Sequence, residues 1–210
     1  MESRKKFSPL TIVHLVLMAG MIVMNLAAAV RVITTAAGLD DPAIREWKLP
    51  MYMNADSLLL DIAALGCGIA YVLRSYSKSA APFFRAFLLL EAFACAANIA
   101  ANCLLLSMES ALEGMNGVSD GSSAARILCL TGQTALLVIL AFAKNLGKRR
   151  NQAFLAMLIV IAIIMSLLSV SHEDGVWAIF VRIASRIVMT GTIGLAIKGK
   201  YDDKDARGTK

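Results

Sequence analysis

The chain is poor in the residues on which soluble catalysts and metalloproteins depend. Of 210 residues, only 17% are charged and two are histidine. Soluble domains carry about 25% charged and roughly 45–50% apolar residues. Here 58% are hydrophobic and the mean hydropathy is +0.68, too much apolar surface to hide in one soluble core of this size. The same figures exclude disorder. His14 lies in an apolar run and His172 in a polar loop, so the two imidazoles that haem ligation within the bilayer requires are missing. The four cysteines, Cys67, Cys95, Cys103 and Cys129, form no C-x-x-C pair and all fall in apolar runs. They read as small apolar residues rather than as a disulfide framework or a zinc site. H-E-x-x-H, G-x-S-x-G and G-x-x-x-x-G-K-[ST] are absent, which leaves zinc-protease, hydrolase and nucleotide-site readings without support. No cofactor and no metal site is expected, and an enzyme is the least supported class.

What the chain does have is long apolar runs. A membrane span needs about 20 mostly apolar residues. Six windows qualify, over 10–33, 57–74, 82–106, 124–143, 153–171 and 176–197. The basic start of MESRKKFSPL followed by apolar sequence imitates a signal peptide, but the run is too long and lacks a small-residue cleavage site, so it is read as an uncleaved first span. The expected fold is all-α: a single-domain polytopic membrane protein, a bundle of six transmembrane helices, with a charged tail over 198–210.

The charges between the spans alternate. One side gathers Arg4, Lys5 and Lys6, then Arg74, Lys78 and Arg85, then Lys144, Lys148, Arg149 and Arg150, then the basic tail from Lys198. The opposite loops hold only Arg45 and Lys48 among many acids. The positive-inside rule then predicts both termini in the cytoplasm, as an even number of spans requires. This distribution accounts for a pI near 9.3 without a nucleic-acid partner. The bilayer is the expected partner, and without a targeting signal the plasma membrane is the expected location. In the long loop after the first span, Asp41-Pro42 predicts a short helix on the outer surface, with Trp47 and Tyr52 at headgroup level. The loop over 107–123 reads as a flexible tip. The fifth span has no polar stripe and is expected to be the most lipid-exposed.

Polar and charged residues at membrane depth are costly and tend to face the bundle interior or a wet cavity. Glu91, Cys95, Asn98 and Asn102 are spaced four, three and four apart, which puts them on one helical face. His14, Met18, Met21 and Asn25 share a face of the first span, Arg126, Cys129 and Gln133 one of the fourth, and Arg182, Arg186 and Thr190 one of the sixth. Counted at 1.5 Å per residue, Glu91 and Arg186 lie about 13 and 17 Å from the same membrane side, which suggests them as a pair. Asp61, Arg126, Arg182 and Arg31 gather toward the outer side. Three guanidiniums against one carboxylate there favour an anionic or zwitterionic ligand, because arginine matches carboxylate and phosphate geometry. Glu91 is also placed to carry a proton. Asp61, Arg126, Gln133, Glu91, Asn98, Asn102, Arg182 and Arg186 are therefore the candidate solute-binding residues. They point to a membrane transporter, or a membrane-embedded solute-binding subunit, for a small anionic or zwitterionic solute. The alternative is a non-catalytic membrane subunit or scaffold whose buried charges hold helices, a partner chain or a second copy together.

Overall fold

In the computed structural model, residues 8–39, 42–74, 80–116, 122–142, 148–170, 180–181 and 183–196 are described. All regular structure among them is helical. Helix α1 runs over Pro9–Ala37. Its start follows from local chemistry: the Ser8 side chain accepts the Thr11 N–H at 3.2 Å, and Pro9 opens the first turn, where its missing N–H is no loss. A 3-10 turn over Pro42–Trp47 leads directly into α2, Lys48–Leu73. The short surface helix expected near Pro42 is thus continuous with the second span. Pro50 does not interrupt it, because it falls in the first turn of α2.

Helix α3, Ala81–Asn116, extends about ten residues past the window read from hydropathy, into the loop expected to be a flexible tip. Helices α4, Ser122–Phe142, and α5, Lys148–Val170, follow. The last described helix, α6, covers Ile183–Ala196. The helices α1 to α5 are long and apolar enough to cross a bilayer; α6 is apolar and shorter. At 1.5 Å per residue, the 21 residues of α4 span about 31 Å, close to the hydrocarbon thickness. Arg182, both chain termini and the stretch over 171–179 lie outside the described residues.

The outward faces suit a lipid setting. Leu10, Val13, Val16, Val23, Leu26 and Val30 are exposed along α1, and Met157, Val160, Ile163 and Leu167 along α5. Such continuous apolar faces are not stable against water. Of the five long helices, α5 has the smallest buried share, as its lack of a polar stripe implies.

The helices pack in sequence order, α1 on α2, α2 on α3, α3 on α4 and α4 on α5. Side-chain contacts then tie α6 to α1, α2, α4 and α5. His14 Nε2 and Thr192 Oγ1 are 2.9 Å apart, Gly68 faces Thr192, Gln133 Nε2 donates to Met189 Sδ at 3.3 Å, and Arg186 Nη1 donates to Ser166 Oγ at 3.1 Å. Two glycines make these approaches possible. A Cβ at Gly68 would meet Met18 Cε at 2.5 Å and Phe87 Cδ2 at 3.4 Å, and one at Gly191 would meet the His14 ring at 2.9 Å. By contrast, a Cβ at Gly66 would meet nothing within 4 Å. Asp61–Gly66, Arg126–Gly132 and Arg186–Gly191 each run from a charge through Ile to Gly, but their glycines are not three equivalent packing sites.

Gly191→Ala should lower stability in detergent by about 1–3 kcal/mol, since an imidazole ring rather than a flexible side-chain end occupies the space. Combining it with His14→Ala should cost less than the two single changes added together, as measured by thermal unfolding.

Candidate functional site

Two register relations locate the polar residues. Asn98 on α3 donates to Ser57 Oγ on α2, and Gly68 faces Phe87. Eleven residues separate the α2 positions and eleven the α3 positions, so one antiparallel register holds throughout. Asp61 then faces the level of Ala94 and Cys95, and Glu91 lies three residues further along α3, about 4.5 Å by rise. The stripes Ser57–Asp61–Ala64–Gly68 and Asn98–Cys95–Glu91–Phe87 form the two sides of this seam. Ala64, Phe87, Ala92 and Cys95 are all buried in one core cluster with Leu130 and Leu137 of α4.

Glu91 is 8% exposed and within electrostatic reach of Asp61. The buried Cys95 thiol lies on the same stripe as Glu91, beside Thr134 of α4. Two carboxyls from adjacent helices therefore share one interior region. Among the described contacts, none places a cation or a hydrogen-bond donor on either of them.

The other candidates are distributed around this centre. Asn98 also donates to the Ala94 carbonyl of its own helix, and Asn102 donates to the Asn98 carbonyl, so the two asparagines continue the polar stripe away from Glu91. Gln133 is buried and reaches Met189 on α6. Arg126 Nη2 donates at 3.2 Å to the Leu168 carbonyl near the end of α5, where free carbonyls favour a cation. Arg186 also turns to α5, through Ser166, and no Glu91–Arg186 ion pair is among the described contacts. Arg31 is exposed on α1, six residues before its end. Arg182 falls outside the described residues. The guanidiniums described here are thus spread over the rim of α5 and the outer surface, whereas the acids converge.

Sequence spacing had grouped Asn25 with His14, Met18 and Met21 without marking it as a site residue. All four are buried in the structure, and Asn25 is 2% exposed with its Nδ2 unpartnered. An amide on the inward stripe of an apolar span was the available signal. Ser57, Thr134 and Ser166 were not legible in the same way, since a lone hydroxyl in a membrane helix commonly bonds its own backbone. Of the four thiols, Cys95 is buried, Cys67 and Cys129 are half-buried, and Cys103 is exposed, so the last does not follow the expectation of a buried apolar filler. No family model, curated protein or solved structure matches the chain.

A double-mutant cycle tests the α2–α3 seam. Ser57→Ala and Asn98→Ala should show a coupling of roughly 0.6 kcal/mol and not above about 1.7, the range for hydrogen bonds between membrane helices. Zero coupling in equilibrium unfolding would mean that the seam is held by packing alone.

Proposed function

We propose that the chain is a six-span membrane transporter, or the membrane-embedded solute-binding subunit of one, working through a carboxyl pair that binds protons or small cations. The observation that carries this reading is the α2–α3 register, which brings Asp61 and Glu91 to one region of the seam. Acids in hydrocarbon are retained where they handle charge, because isolated ones are expensive. Of the three arginines whose surplus had suggested an anion, Arg126 donates to a carbonyl of α5, Arg31 stands at the surface, and Arg182 lies outside the described residues. Cys95 on α3, with Thr134 of α4 beside it, lies next to the pair, and Arg186 on α6 turns instead to Ser166 of α5. A cation therefore suits the site better than an anionic solute does.

The alternating loop charges support placing both termini in the cytoplasm, with α6 completing the sixth crossing, and the plasma membrane is the corresponding location. Reporter domains fused at either end should both be active only on the cytoplasmic side; one active end and one silent end would require an odd number of crossings.

A second reading, a subunit of a larger membrane assembly, rests on the groove between α5 and α6. It encloses about 360 Å³, is lined by Ile159, Ile163, Leu167 and Ile187, and has Arg186 and Ser166 within it. Native mass spectrometry from mild detergent separates the readings: a second protein in fixed stoichiometry supports the subunit, a bound small molecule on one chain the transporter.

The carboxyl pair has its own test. Dicyclohexylcarbodiimide partitions into membranes and reacts only with protonated carboxyls. Peptide mapping should show the adduct on Asp61 or Glu91, declining as pH rises and absent from the Asp61→Asn/Glu91→Gln double variant. Lack of an adduct on both at every pH would overturn the reading.

A further inference from the structure

The α1–α2 register brings a third side chain to the acids. Met18 fills the space left open by Gly68, and three residues on, Met21 shares a core cluster with Leu65. These helices also run antiparallel. Seven residues beyond Met18 on α1 is Asn25, and seven before Gly68 on α2 is Asp61, so the two stand at one level. Both face inward. Gly68 points to the junction of Met18, Phe87 and Thr192, and Asp61 lies two turns along the same stripe. Asn25 lies on the buried stripe that carries Met18 and Met21.

The Asn25 amide is 2% exposed, and its Nδ2 is without a partner. Buried polar groups of this kind are rare and ask for an explanation. A carboxamide turned by 180° presents its carbonyl oxygen at the place where its nitrogen stood. Asn25, Asp61 and Glu91 then offer a neutral oxygen and two carboxyls from three helices. Such all-oxygen sets suit hard cations. No group of three His, Cys, Asp or Glu exists among the described residues for a more highly charged ion.

We infer that Asn25, Asp61 and Glu91 form a binding site for a small monovalent cation of sodium type at the junction of α1, α2 and α3. The inference rests on the carboxyl-pair reading above and names its ligand. Its consequence is that a bound ion competes with protonation of the acids and so with carbodiimide labelling.

The experiment measures labelling of full-length protein in membranes at one pH, in sodium chloride or in choline chloride of equal strength. The readout is the ratio of the two rates within each preparation, which normalises for the amount of folded protein. Sodium should slow labelling at least tenfold relative to choline. Asn25→Ala should raise the sodium concentration for half protection at least tenfold, and Asn25→Asp, which keeps an oxygen there, should preserve protection. Sodium protecting the unmodified chain no better than choline would overturn the cation site, even if Asn25→Ala fails to fold. Protection indifferent to Asn25→Ala would also overturn it as drawn. Labelling without sodium protection leaves the carboxyl pair standing, whereas absence of labelling removes both readings.

Discussion

The missing side chain at Gly68 sets the spacing of the interior. Met18, Phe87 and Thr192 from three other helices all approach the point where its Cβ would stand. Helix association in lipid gains little from hydrophobicity, since lipid tails are as apolar as leucine; close packing and interhelical hydrogen bonds supply the attraction. Small residues therefore decide which helices come together. Once Gly68 admits Met18 and Phe87, the registers of α1 and α3 on α2 are fixed. The levels of Asn25, Asp61 and Glu91 follow from those registers. The polar site is in this sense a consequence of a packing contact two turns away.

The inner stripes were legible in the sequence because helical spacing alone defines them. Glu91, Cys95 and Asn98 share a face by arithmetic, and the fold keeps that face on the α2–α3 seam. Depth was a weaker guide. Glu91 and Arg186 were matched by counting rise, but rise says nothing about direction around the axis. Arg186 stands to the side of the buried Val188–Met189–Thr192 stripe and meets Ser166 instead. The helix ends were also less legible than the helix centres. Hydropathy closes a window at the first cluster of polar residues, as at Ser107, whereas the backbone of α3 continues in helix to Asn116. Polar residues satisfy a helix well enough in water, so loss of hydropathy marks the membrane edge and not the helix end.

Asn25 shows where such reading falls short. As a single residue it lies in a run of methionine, alanine and valine, and its place on an inward stripe is its one signal. Its significance depends on what α2 carries at the same level, a relation between two helices that no one-dimensional pattern contains. The hydroxyls of Ser57 and Ser166 were illegible for the same reason: each is distinguished by a donor from another helix, Asn98 in one case and Arg186 in the other.

The distribution of charge also separates two roles that the net charge of +6 combines. Most basic residues lie between or beyond the apolar runs, where water solvates them and where they bear on orientation. Inside the bundle the order is reversed. Arg126 and Arg186 are drawn to α5, whereas Asp61 and Glu91 meet between α2 and α3. Arginine can make this accommodation because its long stem crosses apolar surface to reach an acceptor. Aspartate and glutamate have short stems and must find compensation where they stand. Two acids on facing stripes cannot relieve one another, and each raises the cost of ionising its neighbour. Positive charge taken up between them, as a proton or as an ion, would relieve both. The short reach of these side chains, more than the composition of the chain, is the reason to place its chemistry at this seam.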